Sequence, residues 1–248
     1  MIQIKTYVIN LERSIERRSY MENQLIRFPF LQYEFISAVD GRALSEDERS
    51  NKFDEEKFKY IYRRAVRPGE IGCTLSHQKC YRYLEDNNDN YALILEDDTI
   101  LKDNIERILE EIVNLLECDQ SPRIILLSGW YYYTKKKKLI DRYFLADIYD
   151  GYGTYAYVVN RKAAELLLED KSFITADDWA YIKRKGVKIQ AVYPHLLITD
   201  EDCNNNLVST ISNETKLVSR KISLKQMAIY LHSLILKLFK LTGHFEKR

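Results

Sequence analysis

The 248 residues of this chain are enough for one sizeable domain with a buried core, and a tail can be added without a second core. Thirty-eight Lys and Arg against 37 Asp and Glu exclude a uniformly basic nucleic-acid binder, and four cysteines without CxxC spacing exclude a disulfide-stapled scaffold and point to a reducing compartment. No stretch reaches the roughly 18 apolar residues of a membrane span, and the opening MIQIKTYVIN is too short and too interrupted for a signal peptide, so the body is expected in the cytoplasm.

In chain order, residues 3–10 alternate as a strand that delivers Asn10, Leu11 and Glu12 into a turn. Ser14 then caps a predicted helix carrying Arg17, Arg18, Met21 and Leu25, which Pro29 interrupts. Residues 35–39 read as a short strand ending in the turn dipeptide Asp40-Gly41, and 44–66 as surface helical turns. Pro68-Gly69 opens a helix in which Gly72, Ser76 and Cys80 recur at i, i+4. This stripe of small side chains permits close backbone approach. Residues 91–95, YALIL, form a continuous apolar run of strand length, the pattern of a strand covered on both faces.

The run stops at Glu96-Asp97-Asp98. Ile105, Ile108, Leu109, Ile112, Val113 and Leu116 follow helical spacing, residues 123–127 return to buried-strand character, and Lys135 to Lys138 read as a loop rich in neighbouring tyrosine. A strand over 155–159, a helix over 163–168 and a strand over 187–193 complete the body. The order argues for an α/β layered sheet.

Charge divides the chain. Residues 216–248 carry eight Lys and Arg against one Glu, a net +7 beside −6 for the rest, so the expected organisation is a domain over 1–215 and a basic tail over 216–248. Within the tail, Met227, Ala228, Leu231, Leu234, Ile235, Leu238 and Leu241 recur at helical spacing, with Lys225, Lys237 and Lys240 on another side. Such a helix lies in a membrane interface or docks on the domain or on a second copy of the chain as a homodimer; the membrane surface is the expected partner.

In an α/β sheet, ligands collect beyond the carboxyl ends of strands, where the acidic triplet falls. Adjacent carboxylates there offer hard oxygen ligands to Mn²⁺ or Mg²⁺, although a solvated acidic loop has the same composition. The segments VINLERSIERR at 8–18, VDGR at 39–42, GEIGCTLSH at 69–77, LILEDD at 93–98 and GTYAYVVNRKAAELLL at 153–168 are together similar to the motif series of glycosyltransferase family 25, which includes bacterial lipooligosaccharide galactosyltransferases and collagen galactosyltransferases. The resemblance covers about residues 2–212, and an SxI pattern at 209–211 resembles the end of that family's catalytic domain.

It implies a GT-A type nucleotide-sugar domain with a mixed central sheet flanked by helices, a divalent metal, and inversion at the anomeric carbon of UDP-galactose. Residue by residue it implies Asp97 and Asp98 on the metal with Glu96 as first member, and Asn10, Leu11, Arg13 and Arg17 near the nucleotide. Arg suits a diphosphate because its planar fork binds oxygens in pairs. Ser76 and His77 fit the same site, a lone helix His being otherwise structural, and Asp40 either binds nucleotide or shapes its turn. An inverting transfer needs a carboxylate base. The family places it after residue 168, where TADDW supplies Asp177 and Asp178; the resemblance implies Asp177 as the better positional match, and if Asp177 caps the following helix, Asp178 is the base.

His195 completes the metal's coordination or is an ordinary loop residue beside Pro194; Asp200-Glu201-Asp202 follow. The expected activity is transfer of galactose to a terminal sugar of lipooligosaccharide at the inner membrane surface. The rivals are another UDP-sugar as donor, a nucleotidyl- or phosphotransferase, which the missing GxxxxGK[ST] loop disfavours, and a non-catalytic membrane-associated binding module.

Overall fold

A computed structural model describes residues 2–199 and 224–246. The Asp200-Glu201-Asp202 cluster, the 209–211 pattern and the 215/216 boundary lie outside the described residues. The chain forms the expected α/β domain, a mixed nine-stranded sheet with helices on both faces.

Its first half is β1 (Ile4–Asn10), α1 (Ile15–Leu25), β2 (Leu31–Ser37), α2 (Glu46–Lys52), α3 (Glu55–Tyr62), α4 (Pro68–Asp86), β3 (Tyr91–Glu96), β4 (Thr99–Ile100) and α5 (Ile105–Cys118). The second half is β5 (Arg123–Leu126), β6 (Trp130–Ile140), β7 (Tyr143–Tyr152), β8 (Ala156–Asn160), α6 (Arg161–Leu168), α7 (Trp179–Arg184), β9 (Lys188–Tyr193), β10 (Ile198–Thr199), α8 (Leu224–Leu241) and β11 (Phe245–Glu246). The large sheet runs β11-β6-β7-β9-β5-β8-β3-β1-β2, and β10 pairs with β4 apart from it.

The apolar run of β3 is explained by its position. Leu93 and Leu95 enter one core layer with Met21 and Leu25 of α1 and the inner face of α5, whereas Ala92 and Ile94 enter the opposite layer with Cys80 and Leu84 of α4, Ala163 of α6 and Trp179 of α7. Both faces of the strand are covered, so neither offers a polar alternation. β1 lies parallel to β2 and to β3, with Ile9 opposite Glu96 and Asn10 opposite Ser37. Three carboxyl ends therefore open side by side.

One expectation changes. Lys135 to Lys138 are in β6 rather than in a loop: they pair with Asp147 back to Phe144 of β7 through a bulged register. Lys136 also lies 3.8 Å from the Tyr193 ring centre, so aromatic faces and Asp147 accommodate lysines on a strand. The tail, moreover, joins the body, because β11 pairs with β6 in the main sheet. α8 docks through His232, 2.8 Å from Asp150, and Phe239, which packs on Tyr149. No helix of the described residues is long and apolar enough to cross a membrane.

Candidate functional site

A cleft opens at the shared carboxyl ends of β1, β2 and β3, walled by the start of α1 and the N-terminal half of α4. α4 is started by Pro68 at its first turn and by Glu70, which accepts the Arg67 N–H at 2.8 Å and takes the Arg64 guanidinium in two 2.7 Å bonds. The small residues on this helix allow the close approach expected of them. Gly72 backs onto Val39 and Gly41, and Ser76 Oγ accepts the Val39 N–H at 2.8 Å while donating to Gly72 O at 2.6 Å. Ser76 thus holds the β2 exit loop in place.

The structure gathers most of the sequence-derived site here. Leu11, Arg13, Arg17, Asp40, Ser76, His77, Glu96 and Asp97 all line the cleft. Asn10 stands at its floor and donates to Asp97 Oδ2 at 2.8 Å, and Arg17 donates to Asp97 Oδ1 at the same distance while lying 4.0 Å from Asp98. Asp40 shapes its turn by accepting the Arg42 N–H at 3.1 Å, and it also pairs with Arg13 across the mouth. Slight burial pushes the Asp40 carboxyl up, but the Arg13 pair and the Arg42 N–H outweigh that and hold it below its ordinary value.

Glu96 turns away from Asp97. Its Oε1 accepts the Thr154 hydroxyl and lies 3.4 Å from His77 Nε2. Burial acts to raise its pKa, yet His77, Thr154 and Arg17 together hold it below the usual value. Behind it, His77 Nδ1 bonds the Tyr157 hydroxyl at 2.7 Å, which meets the Tyr81 hydroxyl at 2.9 Å in the core. Cys73, one turn before His77, completes this end of the cleft. Its thiol is pushed well up by burial and by the negative charges of Glu96 and Asp177.

Asp178 is the helix cap: its side chain accepts the Tyr181 N–H at 2.8 Å at the start of α7, and it also takes the Tyr62 hydroxyl. Asp177 therefore does not cap. Its Oδ2 accepts the Gly153 N–H at 3.1 Å, and Gly153 O in turn accepts Trp179 Nε1 at 3.1 Å. Gly153 has φ +92°, a backbone only glycine adopts without strain, so the loop that presents an N–H to Asp177 depends on it. Burial is the main cause of an Asp177 pKa above the ordinary value, and Glu96 adds to it.

A cation held by Asp97, Asp98 and His195 does not fit these side chains as they stand. Both oxygens of Asp97 are engaged by Asn10 and Arg17, and His195 packs edge-on to Tyr131 with ring centres 5.3 Å apart. Among the described residues, the one set of three or more His, Cys, Asp or Glu ligand atoms lying within 4.8 Å of one another belongs to Cys73, His77 and Glu96, a set containing none of those three. Sequence reading passed over Cys73 because it looked for CxxC spacing; the signal available was its i, i+4 relation to His77. It also gave no role to Arg42, Gly153, Thr154 and Tyr157, although they fall inside the VDGR and GTYAYVV segments: Arg42 lines the cleft, and the other three support Asp177, Glu96 and His77 from behind.

The sequence profile of glycosyltransferase family 25, described as an LPS biosynthesis protein family, matches residues 3–180. A glycosyltransferase 25 family member of Aedes aegypti is 32% identical over 177 residues, covering 66% of this chain and 28% of that protein. A viral protein of Acanthamoeba polyphaga mimivirus, named as a glycosyltransferase, is 29% identical over 80% of this chain and 63% of its own length. Procollagen galactosyltransferase 1 of Danio rerio is 24% identical over 66% of this chain and 28% of its own. The match thus spans well under a third of the insect and fish proteins and under two thirds of the viral one.

Proposed function

Since the chain belongs to glycosyltransferase family 25, we propose that it transfers a hexose, galactose from UDP-galactose, with inversion onto a terminal sugar of a lipooligosaccharide-type glycolipid or oligosaccharide. The observation that carries the reading is the gathering of Arg13, Arg17 and Arg42 at three adjacent strand ends, together with a half-buried carboxylate, Asp177 before α7, held against the neighbouring β7–β8 loop by the Gly153 N–H. The arginines supply planar donors for a diphosphate, and their present partners Asp97 and Asp40 hold the guanidiniums at the cleft. Asp177 takes the proton of the acceptor hydroxyl as that oxygen bonds to the anomeric carbon, and the bond from that carbon to the diphosphate oxygen breaks, releasing UDP. A divalent ion of the Mn²⁺ or Mg²⁺ class would offset charge on the leaving diphosphate when bound.

Incubating the purified chain with a panel of UDP-sugars and glycan acceptors tests the reading. Galactose transfer with release of UDP is expected, and absence of transfer from every UDP-sugar overturns it. Pyrophosphate release from a nucleoside triphosphate would instead identify a nucleotidyltransferase.

Arg17→Ala is expected to raise the donor KM about 10- to 100-fold, because a charge-assisted bond to a buried partner is worth about 1.5–3 kcal/mol. Arg17→Lys, which keeps the charge and loses the fork, should fall between the two. A donor KM in Arg17→Ala equal to wild type would remove Arg17 from the diphosphate site.

The partner of α8 in this reading is an anionic membrane surface. With 3.6 residues per turn, Leu231, Leu234, Ile235, Leu238 and Leu241 share one arc about 120° wide, beside the His232 and Phe239 side that docks on β7, and all five are exposed. Lys237 borders that arc on the far side from His232, and Lys240 beyond it lies over the Phe245 ring. The expectation is co-sedimentation with phosphatidylglycerol vesicles, weakened several-fold by 0.5 M salt or so and abolished in Leu234→Asp/Leu238→Asp, with transfer to a soluble acceptor retained. Equal binding by that double variant, or a stable dimer that it dissolves, would count against the membrane.

A further inference from the structure

The end of the cleft remote from Arg13 holds a group of side chains that the transfer reaction leaves unexplained. Cys73 and His77 are one turn apart on α4 and present their side chains on the same face, towards Glu96 at the end of β3. The thiol sulfur, an imidazole nitrogen and a carboxylate oxygen all lie within 4.8 Å of one another, and His77 Nε2 is 3.4 Å from Glu96 Oε1. From these positions we infer that Cys73, His77 and Glu96 form a binding site for a borderline-soft divalent cation of the Zn²⁺ class, with a remaining coordination position open to the cleft.

Three features favour a cation over a plain hydrogen-bonded cluster. The first is spacing. A tetrahedral ion with bonds of about 2.3 Å to sulfur and about 2.0–2.1 Å to nitrogen and oxygen sets its ligand atoms about 3.3–3.6 Å apart. The His77–Glu96 separation already has that value, and the sulfur needs to move by little more than about 1 Å at most. The second is the support behind the ligands. His77 Nδ1 is fixed by the Tyr157 hydroxyl, itself bonded to Tyr81, which directs Nε2 at the site; Glu96 is steadied by the Thr154 hydroxyl. Such outer partners characteristically orient metal-binding imidazoles and carboxylates. The third is access: all three ligands line the cleft, so an ion bound there is not sealed in by a fourth protein ligand and can accept an oxygen from whatever enters.

The donor set chooses the ion. One sulfur, one nitrogen and one oxygen suit Zn²⁺ or Co²⁺, whereas Mn²⁺ and Mg²⁺ prefer all-oxygen shells such as a row of aspartates. On binding, the thiol proton leaves to solvent and the sulfur ligates as thiolate. The site requires neither donor sugar nor acceptor, so it stands or falls separately from the transferase reading.

Cobalt titration tests it on the full chain, reduced, stripped with EDTA and dialysed. One equivalent of Co²⁺ should produce a thiolate-to-metal charge-transfer band in the near ultraviolet with visible bands of a tetrahedral ion, and Zn²⁺ should bleach both. Cys73→Ser should lose the charge-transfer band, while Cys118→Ser, at an exposed cysteine, and Cys203→Ser should keep it. Tyr157→Phe, which removes the outer partner of His77 together with its bond to Tyr81 and leaves all three ligands in place, should weaken binding about 10- to 100-fold. Circular dichroism on the metal-free variants shows whether they are folded, and the wild-type titration decides even if one is not. No charge-transfer band in wild type, or a band that survives Cys73→Ser, overturns the inference.

Discussion

Asp177→Asn is expected to lower the transfer rate about 10²- to 10⁴-fold with little change in donor affinity, the usual contribution of a positioned general base. The amide keeps an oxygen that can accept the Gly153 N–H, so the loop geometry survives while the capacity to take a proton is lost. Asp178→Asn provides the contrast. Asn is as good a helix cap as Asp, so the Tyr181 N–H keeps its acceptor, and transfer should stay within a few-fold of wild type. Loss of transfer in Asp178→Asn with retention in Asp177→Asn would exchange the two roles.

The environment of Asp177 gives the same variant an opposite effect on stability. Burial raises the Asp177 pKa in the folded protein above the roughly 3.9 of a free chain, so the folded state binds the proton more tightly than the unfolded state. The favourable contribution of the protonated form is complete below the unfolded pKa and is lost as pH rises through the folded one. At pH 7 the buried carboxylate is therefore a cost, which a neutral amide removes. Asp177→Asn should melt above wild type at neutral pH, with the gap closing as pH falls towards about 4, and wild-type kcat/KM should rise with pH through the raised pKa rather than through the ordinary carboxylate range. A wild-type profile flat from pH 4 upward would separate Asp177 from the proton transfer.

This coupling of a costly group to the proposed chemistry could not be found by reading TADDW. The sequence offers two adjacent aspartates, either of which caps a helix well, and which one does so depends on a one-residue choice of helix start. Only the fold reveals that Asp178 meets Tyr181 and that Asp177 meets the Gly153 loop, 24 residues away. Strand ends are more legible. The YALIL run could be read as a doubly covered strand because its alternate residues enter two different core layers, and the acidic triplet at its end follows directly.

What composition hid was pairing. Lysines 135–138 resemble a solvated loop, because nothing local reports that Asp147, Phe144 and Tyr193 lie beside them. In the same way, adjacency along the chain makes Glu96, Asp97 and Asp98 one motif. In space they diverge: Glu96 joins His77 and Thr154, and Asp97 joins Asn10 and Arg17.

The small-residue stripe was legible, and it carries the largest expected effect on folding. A methyl group at Gly41 would stand 1.8 Å from Pro68 O and 2.8 Å from Gly72 N, and one at Gly72 would stand 2.5 Å from Val39 O and 2.7 Å from Gly41 N. These are backbone atoms on both sides, so no side chain can rotate away; the β2 exit loop and α4 must separate. Gly72→Ala should cost about 1–3 kcal/mol, and Gly41→Ala, with the closer clash, at least the upper end of that range, read as a fall in the urea midpoint at unchanged slope. Because both glycines form one crossing, the double variant should cost less than the sum of the single ones. The same separation pulls Asp40 and Arg42 away from Ser76, so donor affinity should fall in parallel with stability. An alanine at either position with wild-type stability and donor KM would mean that the crossing does not hold the cleft.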